Sequence, residues 1–180
     1  MDNPPSPVVE PLYEAAPAPP ASLLLNAWAG LHAGMVGVFW MVGCFFVGAI
    51  WSGNGIWSVP NLFATLFHGD IAYEGVFLST TWSGIALIIF LYGLLGVIWG
   101  CIWRERRTPF LSFLGALTGL AVYYLFFDLV WAHVNPLMPL YAPVAQMQVA
   151  HILWGAALAR SPGYSRRLSA GSDPVERPVA

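Results

Sequence analysis

Lysine is missing from this chain, and charge of either sign is scarce. Only 9% of its 180 residues are charged, against roughly 25% in ordinary soluble domains. With 58% hydrophobic residues and a mean hydropathy of +0.66, a water-soluble globular domain is excluded. Nothing amounts to a basic patch, so nucleic acid is not an expected partner. The chain also lacks a Gly-rich phosphate loop, a Gly-x-Ser-x-Gly turn, a His-Glu-x-x-His pair and any cluster of carboxylates. Its Ser and Thr residues are scattered without a nearby base. No catalytic residue and no metal site are expected on these grounds. Cysteine is limited to Cys44 and Cys101. Read on membrane helices, their depths differ by about 20 Å, whereas a disulfide needs Cα atoms within about 7 Å. They read as small packing residues.

What the chain does have is apolar runs. A membrane-crossing helix needs about 20 mostly apolar residues. Four stretches qualify or nearly do: 23–51, 77–103, 110–131 and the shorter 141–159, which carries Gln146, Gln148 and His151. The expected fold is therefore all-α: a polytopic protein with four transmembrane helices in a bundle, occupying residues 23–159. The positive charge consists of seven arginines. Arg104, Arg106 and Arg107 fall between the second and third stretches; Arg160, Arg166, Arg167 and Arg177 follow the fourth. Arginine-rich short loops stay in the cytoplasm. Both termini are therefore expected there, with loops 52–76 and 132–140, free of Lys and Arg, on the opposite side. Aromatic residues fit such a frame, because indole and phenol rings favour the headgroup level. Trp51, Trp57, Trp82, Trp131 and Tyr141 fall near the outer boundary, and Trp28, Trp99, Trp103 and Trp154 nearer the inner one.

Residues 1–22 are Pro-rich and acidic, without the positive n-region of a signal peptide, and read as a disordered cytoplasmic tail. Residues 160–180 read the same way.

Lipid is as apolar as leucine, so helices in a bilayer associate where small residues let backbones approach. Gly30 and Gly34 on the first helix, Gly96 and Gly100 on the second, and Gly115 and Gly119 on the third have that spacing; Gly155 adds to it on the fourth. Four helices marked in this way favour a tight bundle. Each half also reads as a helix ending in Trp, a loop with Asn and Pro, and a returning helix. That is a faint parallel repeat, for which alternating topology already accounts in large part.

The loop after the first helix has its own structure. Gly53-Asn54-Gly55 forms a turn, and Pro60 suits the first turn of a helix. A short amphipathic segment from Pro60 to Phe67, too short to span, is expected at the outer interface as a lid or shallow re-entrant element. The run Trp57-Ser58-Val59-Pro60-Asn61-Leu62 resembles a Trp-x-x-Pro-Asn-Leu segment after the first helix of uncharacterised bacterial multi-pass membrane proteins. The resemblance covers about half of the chain. It implies the bacterial cytoplasmic (inner) membrane and no activity.

Few residues could carry chemistry. His32 and His151 read as lying at matched depth, about 13 Å from the cytoplasmic surface. Such a pair is what axial ligation of haem b requires. Asp128 is the one carboxylate inside a span, with Tyr124 four residues earlier as a hydrogen-bond partner, and Gln148 shares a face with His151. His68, Asp70, Glu74 and His133 could gather on the outer surface without tight ligand spacing. The leading expectation is a non-enzymatic structural or accessory subunit, or a self-associating bundle, with the lipid bilayer and other membrane subunits or further copies as partners and no cofactor. A small transporter with a polar track through Gln146, Gln148, His151 and Asp128 is the second reading. A haem b electron carrier is the third.

Overall fold

A computed structural model describes residues 22–72, 74–103 and 110–170. The expectations for residues 1–21, for Arg104, Arg106 and Arg107, and for Arg177 lie outside the described residues. Every regular element among the described residues is helical.

Helix α1 (Leu23–Trp51) starts where the Ser22 hydroxyl accepts a hydrogen bond from the Leu25 amide at 3.2 Å, an N-cap that satisfies one otherwise orphaned donor. It ends where Gly53 takes φ 70°, the left-handed region that glycine enters without penalty, and the Asn54 amide bonds back to Ala49. Next come α2 (Ser58–His68) and a 3-10 turn, Gly69–Ala72. Helix α3 runs over Thr81–Ile102 and α4 over Phe110–Tyr124. Helix α4 continues through a π-helical segment, Leu125–Trp131, into α5 (Ala132–Val134). Two short breaks separate α6 (Leu137–Tyr141), α7 (Val144–Leu158) and α8 (Ser161–Ala170).

Three helices are long and apolar enough to cross a membrane: Leu23–Trp51, Thr81–Ile102 and Phe110–Val134. The fourth expected span differs. Pro143 lacks an amide donor and takes an extended ψ of 94°, which cuts stretch 141–159 into the end of α6 and the 15-residue α7. A second difference follows directly. Residues 161–170, expected to be part of a disordered tail, form α8, which packs on α1. There the Ser165 hydroxyl donates to the Asn26 side-chain oxygen at 2.8 Å, and both residues are buried.

Helix α1 packs on α3 along one side and on α7 along another, and α7 packs in turn on α4. The α1–α3 seam is made of glycine. A Cβ on Gly100 would stand 2.8 Å from the Gly30 Cα, and one on Gly34 3.1 Å from the Gly96 Cα. The α4–α7 seam repeats the device, with Gly119 against Gly155 and Gly115 against the Gly155 carbonyl. All six packing glycines read from the sequence sit in these two seams. Between α1 and α7 the fit is different: Gly37 admits the Trp154 ring and Gly48 admits the Gln146 side chain. Together with Asn26–Ser165, these pairs show α7 and α8 running antiparallel to α1 from Gly48 to Asn26, about 33 Å at 1.5 Å per residue.

The outside of this assembly is apolar. Phe39, Trp40, Val47, Phe90, Ile98 and Phe113 are all exposed, the reverse of a soluble surface. Trp28, Trp51 and Trp82 are exposed as a headgroup belt requires, but Trp99, Trp131 and Trp154 are buried in the core. Indole size explains the difference. Glycine seams bring two helix pairs close, and the space left between the pairs is filled by the largest side chains.

Candidate functional site

Two polar clusters are built into the fold. The first lies at its centre. His151 is completely buried on α7, with its Nδ1 2.6 Å from the carbonyl oxygen of Met147 one turn earlier. That nitrogen therefore carries the proton and donates, which leaves Nε2 as an acceptor. The Tyr92 hydroxyl on α3 donates to it at 2.6 Å, and Tyr92 is also fully buried. The Tyr123 and Phe127 rings pack edge-on to the imidazole at 5.4 and 5.9 Å, and Trp154 closes against Tyr92 at 5.3 Å. Gly119 makes room for the His151 backbone, because any Cβ there would collide with its carbonyl oxygen. Both ring nitrogens are thus engaged, and aromatic rings seal the imidazole. Tyr92 was not singled out from the sequence, although it is the one hydroxyl deep in the otherwise apolar middle of α3.

His32 does not join His151. Its side chain is exposed and meets Tyr164 of α8 edge-on, with centroids 4.4 Å apart. Gly37 faces Trp154, so His151 lies three residues beyond that level in one direction and His32 five residues in the other. The separation is about 12 Å along α1. The matched depth inferred from counting inward from Arg160 fails because α8 continues alongside α1 after that arginine. Both ring nitrogens of His151 are also engaged, and the two histidines do not face each other within one chain.

The second cluster gathers at the end marked by Trp51. Asn61 is completely buried on α2. Its amide nitrogen donates to the Glu74 carbonyl and, at 2.9 Å, to the Val76 carbonyl. Its oxygen accepts from the Thr81 hydroxyl at 2.5 Å, and that hydroxyl accepts from the Leu78 amide at 2.9 Å. One side chain thereby holds the connection into α3. Around it, Trp57 stacks edge-on with Phe46 and Phe77, and Gly84 lets the Pro60 backbone lie on α3. Thr65 receives a hydrogen bond from Asn135 at 2.6 Å, which ties α2 to the α5–α6 region. The Trp-x-x-Pro-Asn-Leu run is therefore an anchoring device. The expected short amphipathic segment is present as α2, buried without a break from Val59 to Thr65 and exposed at Phe67 and His68.

The remaining polar candidates are separate from one another. Gln146 donates to the carbonyls of Cys44 and Phe45 at 3.2 and 2.7 Å, using the lone pairs that α1 leaves spare. Gln148 donates to the Tyr124 hydroxyl at 3.2 Å on an exposed face. Tyr124 therefore serves Gln148 rather than Asp128, which is exposed on the π-helical segment. Wider winding there rotates the carboxylate out of the α-helical i, i+4 relation to Tyr124. His68 bonds with Ser83, and His133 donates to its own helix at Leu129. Among the described residues no three of His, Cys, Asp and Glu come together as a metal would need. A polar recess of about 180 Å³ lies between α1, α2 and the start of α7, lined in part by Asn54, Ser58, Tyr141 and Gln146.

No known family model matches the chain, and neither the curated proteins nor the solved structures contain a match to it.

Proposed function

We propose that this chain is a non-enzymatic structural or accessory protein of a bacterial cytoplasmic membrane, a four-span bundle with both ends in the cytoplasm. Helices α1, α3 and α4 with its π-helical extension would form three spans. The kinked α7–α8 element, which matches α1 over about 33 Å, would form the fourth against a hydrocarbon layer of about 30 Å. The exposed Arg160, Arg166 and Arg167 favour the orientation, because they share one end of the molecule.

One observation carries the functional reading: the imidazole of His151 and the amide nitrogen of Gln146, two groups that a polar track would need, are engaged in internal hydrogen bonds. Tyr92 and Met147 engage both ring nitrogens of His151, and two carbonyls of α1 engage the Gln146 amide nitrogen. A transporter needs polar groups along one continuous path, and here Gln146, Gln148, His151 and Asp128 have separate partners or surroundings. The geometry therefore favours an assembly role over transport.

Native mass spectrometry of the protein, extracted in mild detergent from its own host, tests this. An assembly of fixed stoichiometry, with other membrane subunits or with further copies, is the expected spectrum. A bare monomer would overturn the assembly role, and an adduct of haem mass would return attention to His32 and His151.

A further inference from the structure

Where α8 lies along the first turns of α1, the two helices leave a groove of about 430 Å³. Its lining is Leu25, Trp28 and His32 from α1 and Tyr164, Arg167 and Leu168 from α8. The floor is aliphatic and aromatic, and Arg167 is its one permanent charge. The wall is preset: Asn26–Ser165 fixes α8 on α1, and the His32 ring stands at 82° to Tyr164.

Charge decides what such a groove could hold. Arg160, Arg166 and Arg167 stand exposed at this end. The acids among the described residues are Asp70, Glu74 and Asp128, and all three lie toward the opposite, Trp51 end. Among the described residues this end holds three guanidinium groups and no carboxylate, which favours an anion as occupant. A soluble anion has no use for the apolar floor. A molecule carrying both a phosphate and an acyl chain uses the whole groove, because the guanidinium fork matches two phosphate oxygens while the chain lies on Leu25, Trp28 and Leu168. Trp28 and Leu168 are 58% and 44% exposed, so the groove opens sideways, toward the surroundings that the exposed Phe39 and Trp40 also face.

We propose that the α1–α8 groove binds one anionic phospholipid from the surrounding bilayer, with its phosphate on Arg167 and a chain along Leu25, Trp28 and Leu168. This rests on the membrane reading above. The site also gives α8 a purpose, since a helix packed at the membrane boundary reads the charge of the leaflet.

The test uses the full chain, reconstituted in vesicles of phosphatidylcholine alone or with a quarter phosphatidylglycerol, then re-extracted and weighed with its retained lipid. Wild type is expected to keep phosphatidylglycerol in preference to phosphatidylcholine. Arg167→Gln should lower that retention about fivefold, the worth of one basic contact at the surface. Arg166→Gln, equal in charge but outside the groove lining, should leave it unchanged. Equal retention of both lipids by wild type overturns the site, as do equal losses in the two arginine variants, which would mean diffuse attraction only. A protein that fails to enter the vesicles overturns the membrane reading as well; one that enters without lipid preference overturns the site alone.

Discussion

Replacing Gly100 by alanine adds one methyl to the α1–α3 seam, where backbone lies against backbone. A Cβ at that position would stand 2.8 Å from the Gly30 Cα and 3.0 Å from the Gly30 nitrogen, and would also collide with the Asn26 carbonyl. Carbon atoms settle at about 3.5–4.0 Å, so α1 and α3 would have to part by about 1 Å along a seam that also holds Gly34 and Gly96. All these neighbours are backbone, so no side chain can swing aside. Overpacking of this kind costs about 1–3 kcal/mol, set against a gain of up to about 1 kcal/mol because alanine favours the helix. Gly43→Ala is the internal control. It lies on the same helix as Gly30, but a Cβ there meets nothing within 4 Å. That variant keeps the helix gain and takes no clash, so it should be neutral or stabilised. Thermal unfolding of both purified variants in one detergent, followed by tryptophan fluorescence, separates them. Equal shifts for the two, or a more stable Gly100→Ala, would refute the claim that backbone approach at this seam holds α1 and α3 together.

Two further substitutions address the polar clusters. Asn61→Leu removes three hydrogen bonds and leaves the buried Thr81 hydroxyl without its acceptor, at a cost of about 2–4 kcal/mol. The connection between α2 and α3 should then be cut by protease far faster than in wild type, and an unchanged cleavage rate would remove Asn61 from its anchoring role. Tyr92→Phe takes the donor from His151 Nε2 while keeping the ring, and should destabilise by about 1 kcal/mol, the usual scale for a hydrogen bond between membrane helices. His151→Phe combined with Tyr92→Phe should cost less than the sum of the two single changes, as a double-mutant cycle on the melting curves would register.

Much of the architecture was legible because membrane helices announce themselves by composition. The α1, α3 and α4 stretches needed only length and absence of charge. The glycine seams needed only four-residue spacing, since in lipid nothing but close backbone approach rewards that pattern. The fourth stretch was harder for the same reason. Pro143 breaks it at one end, and Arg160 at the other hides the fact that α8 goes on packing against α1. Arg160 marks a boundary of hydrophobicity, and the helical packing crosses that boundary. The site residues divide in the same way. His151 stood out as an ionisable group in an apolar run, whereas its partner Tyr92 is one of many aromatic residues and only contact distinguishes it. Asn61 could be quoted as part of a motif, but its task depends on the carbonyls of Glu74 and Val76, residues whose own sequence carries no sign of it.

Glycine seams and polar pairs do different jobs in this fold, and the molecule needs both. A smooth small-residue face lets two helices approach closely but leaves their relative sliding poorly determined, since one glycine step resembles the next. A side-chain hydrogen bond in an apolar setting has one good register, because a slip leaves its members without partners. The pairs here occur at successive levels: Gln146 on the Cys44 and Phe45 carbonyls, Tyr92 on His151, and Ser165 on Asn26. The first and last hold the α7–α8 element to the two ends of α1, and the middle one reaches from α7 to α3. Polar groups engaged in this way determine how the helices line up, because a slide of one step along a glycine seam would break each of these contacts.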